Sequence, residues 1–259
     1  MPFSPVSTSH FDKYAQLMAR GMADKLFFAD RLDADVFVDF GCADGTLLHA
    51  LQTIKPDTQM VGYDLSDLAT TRAAQKVRGT FFNEWFDLED YLRSLEGKTI
   101  ALIASSVVHE VYAYGGTVAG IEFWKRLNDG PFDHFILRDM ALGIKDLTSD
   151  DPEIASRVRA RANPRILSDF ENRWGSIDLR RHLTHFLLKY SYTDNWVREL
   201  NEHYLPLTRE EILDELSDNF TVDLASAEIL PFLAGQVKQD FGIAFPCPTH
   251  FKLIMSRKP

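Results

Sequence analysis

Apolar positions along this chain follow two periods, and the switch between them outlines the fold. Over residues 11–32 they recur at three and four, with Tyr14, Leu17, Met18, Met22, Leu26 and Phe27 in one stripe and Ser9 as a cap, which predicts an amphipathic helix. The period then shortens. An apolar run from Val36 closes on Asp39 and a glycine turn, and helical spacing resumes over 47–54 until Pro56 stops it. A second run ends at Asp64, residues 68–77 predict a helix finished near Gly79, and 80–82 a short third strand. Residues 100–104 are apolar on both faces, as a strand inside a parallel sheet must be. A helix over 118–127, with Phe123 and Trp124 inside, leads to a fifth strand over 133–140. No strand-like run follows until 220–225 and 250–255, which give the last two strands; Pro231, Gly235, Gly242, Pro246 and Pro248 punctuate the segment between them. Strands alternating with helices predict an α/β, doubly wound, mostly parallel sheet, with the strandless stretch as a helical insertion.

Chemistry gathers where the strands end. Gly41 and Gly45 make a tight turn after Asp39, where backbone can approach a ligand that a β-carbon would block, and the next helix offers unpaired N–H groups. Ala43 and Thr46 stand where a dinucleotide fingerprint would need glycines, which weakens a pyrophosphate reading. Asp64 comes nineteen positions after Gly45, the distance a strand–helix–strand unit requires, and its carboxylate can accept from two ribose hydroxyls. A helix N-cap is the competing use, for which Ser66 or Asp67 is better placed. An acid here suits the ribose of NAD as well, so an NAD-dependent enzyme stays open at this point.

Taken together, Asp39-Phe-Gly41-Cys42-Ala43-Asp-Gly45 and the segment ending at Asp64 resemble the first two motifs of class I S-adenosylmethionine (SAM)-dependent methyltransferases. In that family an acid is followed by three alternating glycines; Asp39, Gly41 and Gly45 match and Ala43 departs. The resemblance implies SAM as cofactor and a seven-stranded sheet whose last strand is antiparallel. It further implies that Asp39, Gly41, Cys42, Ala43 and Gly45 surround the methionyl part, and that Asp64 and Leu65 meet the ribose. Asn83 would read the adenine amino group with Trp85 stacking beside it, and the helix ahead of the first strand would act as a lid. A turn-forming Asn and a packed Trp are the competing uses. The stretch 98–110 resembles the fourth motif, placing Ser105 at the cofactor and His109 and Glu110 at the methyl acceptor. His109 would remove a proton, with Glu110 holding its tautomer or pairing with substrate; a purely structural histidine competes. Arg138 and Asp139 are expected to pair with one another.

Composition narrows the setting. At 259 residues and 45% apolar content, with no apolar run of eighteen, the chain reads as a globular protein without a transmembrane span. Two cysteines form no metal pattern, no secretory signal is visible at the front, and a cytoplasmic address is expected. The net charge of −10 disfavours non-specific binding to nucleic acid or anionic membrane. Seven arginines at 157, 159, 161, 165, 173, 180 and 181 crowd one segment and read first as a solvated helix face, with a phosphorylated or nucleic-acid acceptor left open. The expected organisation is a lid helix over 1–32, a SAM-binding core over 33–140 and 217–259, and a helical cap over 141–216 that selects the acceptor. The expected activity is methyl transfer to an O or N nucleophile of a small molecule. A non-catalytic SAM-binding module and a methyltransferase of nucleic acid or nucleotides are the alternatives, and a homodimer is possible.

Overall fold

A computed structural model describes residues 21–259. Its centre is one sheet of seven strands: β1 (Val36–Phe40), β2 (Gln59–Tyr63), β3 (Gly79–Phe82), β4 (Ile100–Ser105), β5 (His134–Met140), β6 (Phe220–Glu228) and β7 (His250–Arg257). The order is β3-β2-β1-β4-β5-β7-β6. β1 to β5 pair in parallel, and β7 is antiparallel to both of its neighbours. Chain order reverses between β1 and β4, so the loops leaving these strands part there and open a crevice beyond the strand tips.

Both faces of the sheet are covered, which is why the central strands read as unbroken apolar runs. Val36, Val38, Val61, Leu102 and Leu137 face α4 (Trp85–Arg93) and α5 (Val108–Asp129). Phe37, Met60, Ala101, Ile103 and Ile136 face α2 (Thr46–Ile54) and α3 (Asp67–Lys76). β3 and β6 are the edge strands, and β6 is mostly exposed or half-buried beyond Phe220.

Three elements depart from the sequence pattern. Of the helix expected over 11–32, residues 11–20 lie outside those described; the remainder is one turn, α1 (Met22–Lys25), and then a series of turns that seat Phe28 on Phe37. α5 starts ten residues ahead of the expected 118, with Gly115-Gly116 absorbed as a kink in which Gly116 has φ 69°. The segment between the last two strands is not a bare connection but contains α11 (Pro231–Phe241), with Pro231 in its first turn and Gly242 ending it in the left-handed region.

Between β5 and β6 lie α6 (Pro152–Arg159), α7 (Pro164–Trp174), α8 (Arg180–Tyr190), α9 (Trp196–Asn201) and α10 (Arg209–Leu216). α10 buries Ile212 and Leu216 in the sheet core. The others build a second core around Phe170, Leu183, Phe186 and Leu187, to which α11 adds Leu233, Val237 and Phe241. Among the described residues no helix is long and apolar enough to cross a membrane.

Candidate cofactor and active site

The turn after β1 is held in a strained shape by its surroundings. Gly41 N–H and Cys42 N–H both donate to the Tyr63 carbonyl (2.8 and 3.0 Å), and Gly41, Ala43 and Gly45 have φ of 75°, 46° and 73°. A β-carbon at Gly41 would come 2.5 Å from Val107 Cγ2, and one at Gly45 2.9 Å from Ala73 Cβ. Glycine is therefore needed at both places for packing as well as for φ. Ala43, where the family pattern has glycine, is kept in the left-handed region by its own N–H, which donates to Asp64 Oδ2 at 3.0 Å. Asp44, just ahead of α2, accepts from the Thr46 amide at 3.1 Å and pairs with Lys76. Cys42 is buried against the backbone of Gly62, and burial pushes its thiol far up, which makes it a packing residue with no nucleophilic character.

Asp64 closes the turn from the β2 side. Its second oxygen accepts from Ser66 N–H at 2.9 Å, while Ser66 itself caps α3 by accepting from Ala69 N–H. Each carboxylate oxygen thus has one backbone partner and capacity for a further one. Burial raises its pKa, against the two backbone hydrogen bonds. Leu65 stands beside it, largely exposed. Asn83, at the end of β3, donates Nδ2 to the Asp64 carbonyl (3.2 Å) and to Thr70 Oγ1 (3.0 Å), so its Oδ1 is the atom left to accept. Trp85 begins α4 and packs edge-on against Phe40 and Tyr63 with the Arg126 guanidinium 5.3 Å over its ring, which places it in the wall of the α4/α5 layer. Phe40 lies opposite Ala104, so Ser105 stands level with Gly41 across the crevice; its Oγ is buried with no partner among the described residues.

Beneath the turn, Asp39 is fully buried, and burial pushes its pKa up to about 7. Lys25 from α1 opposes that rise, and its own pKa is brought down to about 8, first by burial and then by Arg138. Sequence reasoning did not single out Lys25, because a lysine on an amphipathic helix carries no positional signal.

Asp139 is the second centre. At the tip of β5 its Oδ2 accepts from the amides of Val108 (2.7 Å) and His109 (3.2 Å), and its Oδ1 from the Met140 amide (2.7 Å). His109 Nδ1 lies 2.6 Å from the same Oδ1, in a buried pair. Burial opposes charge on the imidazole, but Asp139 outweighs it and raises the His109 pKa; Asp139 is lowered in turn. Nδ1–H is fixed on the carboxylate, so Nε2 is the basic atom. Two expectations are corrected here. Asp139 pairs with His109 and not with Arg138, which bonds Asp24 (2.8 Å) and Ser106 Oγ (2.6 Å), because successive strand residues point to opposite faces. Asp139, and not Glu110, holds the His109 tautomer, since Glu110 turns outward in the first turn of α5 and meets Arg198 at 3.3 Å.

The helical layer closes over this pair. The Tyr204 ring meets His109 edge-on at 5.4 Å and its hydroxyl donates to Glu199. Arg198 bridges Glu110 to Glu202, which also accepts from Tyr114. Among the described residues no three His, Cys, Asp or Glu side chains converge as metal ligands.

No sequence-family model matches the chain, and no curated protein does. Solved structures do. The plantazolicin methyltransferase BpumL, in complex with a monoazolic desmethylPZN analogue and S-adenosylhomocysteine (SAH), aligns over 97% of this chain and 89% of its own, with TM-score 0.54 and 11% identity. An O-methyltransferase family protein from Burkholderia thailandensis aligns over 97% and 60%, with TM-score 0.52 and 14% identity. The small RNA methyltransferase HEN1 aligns over all of this chain but 27% of its own, with TM-score 0.52 and 15% identity. At these identities the likeness is one of architecture, and with its seven-stranded order it establishes that the chain has the fold of the class I SAM-dependent methyltransferases.

Proposed function

We propose that the protein is a SAM-dependent methyltransferase acting on an O or N nucleophile of a small molecule held between the crevice and the helical cap. The observation that carries the reading is the junction of the 41–45 turn with Asp64, one hydrogen bond apart at neighbouring strand tips. The residues present suit SAM. Asp64 keeps lone pairs for two ribose hydroxyls, Asn83 Oδ1 can accept from an adenine amino group, and Ser105 Oγ, without a partner among the described residues, stands across from the turn. Asp39 and Lys25 place one carboxylate and one ammonium near the turn, a set that suits the charged ends of an amino acid. Leu65 lies along the ribose side, and Cys42 and Ala43 supply backbone.

Bound SAM supplies an electrophilic methyl group on sulfur, and most of the acceleration comes from holding the acceptor in line, worth up to ~7–11 kcal/mol. His109 Nε2 takes the proton that the acceptor O–H or N–H gives up, while Asp139 keeps the proton on Nδ1 and stabilises the imidazolium that results. Glu110 and Arg198 tie the first turn of α5 to the cap, and Tyr204 walls off the imidazole. The cap in this reading is the expected 141–216 less α10, which packs on the sheet core, together with α11. The His109–Asp139 pair favours catalysis over a non-catalytic binding role.

Calorimetric titration with SAH tests the cofactor half. Wild type binds, Asp64→Ala binds at least about tenfold more weakly, the loss of roughly one charge-assisted hydrogen bond, and His109→Ala binds as wild type does. Unchanged affinity in Asp64→Ala overturns the ribose assignment. Formation of SAH from SAM over a pool of small metabolites, slowed about 10²–10⁴-fold in His109→Ala, separates an enzyme from a binding module.

A further inference from the structure

Most of the arginines crowded between 157 and 181 are occupied locally: Arg159 holds Asp178 (2.6 Å) and Glu171 (2.8 Å), Arg157 faces Glu153, Arg165 faces Asp169, and Arg173 lies over Trp174. Arg180 differs. With Arg209, the first residue of α10, it lines a pocket of about 370 Å³ between the segment that leaves β5 and the segment that enters β7. We propose that this pocket is a binding site for a phosphate-like oxyanion, contacted by Arg180, Arg209 and Lys145.

The lining sets three cations against a single carboxylate, Asp146, in a molecule of net charge −10. Asp146 is buried and holds both guanidiniums loosely, Arg180 Nη1 at 3.5 Å and Arg209 Nη2 at 3.3 Å. Two further acids stand nearby, outside the lining. Asp151 takes the Nε and Nη2 edge of Arg180, and Glu210 accepts from the Ile144 amide; neither is bonded to Arg209 or Lys145. Arg209 is the telling group. Its side chain is 19% exposed, the long bond to Asp146 is its one side-chain hydrogen bond among the described residues, and its Nε is buried without a partner. A largely buried guanidinium with surplus donors costs stability until an acceptor meets it. Its planar fork matches a tetrahedral oxyanion. Gly143 permits this placement, since a β-carbon there would come 2.8 Å from Arg209 Nη2.

The rest of the pocket is inert. Ser149 Oγ is spent on the Lys145 carbonyl, and the Cys247 thiol is bonded to Thr184, with burial raising its pKa. Ala141 N–H bonds the Thr249 carbonyl and Arg209 N–H the Leu142 carbonyl, which fastens the pocket walls to the tip of β5, where Asp139 stands. An oxyanion here is either borne by the acceptor or a free ion.

Inorganic phosphate, titrated against chloride at matched ionic strength without SAH, tests the site by thermal shift and calorimetry. Wild type gains a saturable stabilisation from phosphate. Lys145→Gln, an exposed substitution that leaves folding intact, and Arg209→Gln each weaken it at least about fivefold. Phosphate stabilising no more than chloride, or Lys145→Gln and Arg209→Gln both binding as wild type does, overturns the proposal. Ribose 5-phosphate binding more tightly than phosphate identifies an acceptor-borne group, and equal binding a free ion; both support the site. Because no nucleoside is present, failure of the methyl-donor reading leaves this readout untouched.

Discussion

A carboxylate thirty positions away from His109 sets its chemistry, and that pairing can be weighed. Breaking a buried charged pair by removing one partner costs roughly 3–5 kcal/mol, so Asp139→Asn should lose about that much at pH 5.5. The His109 contribution has its own pH window. Its folded pKa is raised, so the stabilisation is complete below the ordinary histidine value near 6.5 and disappears as pH rises through the folded value. Asp139 is lowered, so its part is present above the ordinary carboxylate value of 3.8 and is lost as pH falls through the folded one. Urea unfolding should therefore show a larger deficit for Asp139→Asn at pH 5.5 than at pH 9; equal deficits would mean that only the backbone hydrogen bonds to Asp139 matter. From the sequence, His109 and Asp139 were each visible as polar residues at a strand end. Their partnership was not, because it depends on β4 and β5 lying side by side, and chain neighbours Glu110 and Arg138 stood in for the true partners. Lys25 left no trace at all.

At the scale of elements, the parts whose burial is two-sided were the most readable. β1 and β4 declared themselves as unbroken apolar runs, and the turn between β1 and α2 declared itself by its glycines. Glycine and proline misled where they serve a helix: Gly115-Gly116 masked the first turns of α5, and Pro231 and Gly242, a helix start and stop, passed for loop punctuation. The turn also yields a prediction about α2. Gly45 caps it in the left-handed region, and its packing leaves no room for a methyl group. A left-handed conformation costs an ordinary residue about 1–2 kcal/mol and overpacking about 1–3. Gly45→Ala should lose roughly 2–5 kcal/mol in urea unfolding, and SAH binding with it. A loss under about 1 kcal/mol would show that the turn relaxes freely, contrary to the contacts with Ala73 and Val77.

For the molecule as a whole, a seven-stranded sheet with an antiparallel last strand could be expected from the resemblance, whereas the cap could be read only as a strandless helical stretch. Its construction depends on a group that sequence hides. Lys189 on α8 is wholly buried, donates to the carbonyls of Glu199 and Glu202, and lies 4.1 Å over the Tyr204 ring, so one ammonium gathers the chain that covers His109. A lysine in an amphipathic helix reads as solvent-facing; here the arrangement of carbonyls supplies what water would. Burial brings its pKa down to about 8 despite Glu199 and Glu202. Between that value and the ordinary one near 10.5 the unfolded chain holds a proton that the folded chain has released, so this group makes stability rise with pH there and has no slope below pH 8. Other groups titrate in the same range, Lys25 among them, which makes a difference measurement necessary. Lys189→Met keeps the length of the side chain and removes its titration. Relative to that variant, wild type should gain stability from pH 8 to pH 10, by at most about 1.4 kcal/mol per pH unit. Parallel profiles over that range would mean that the ammonium keeps its proton inside the cap.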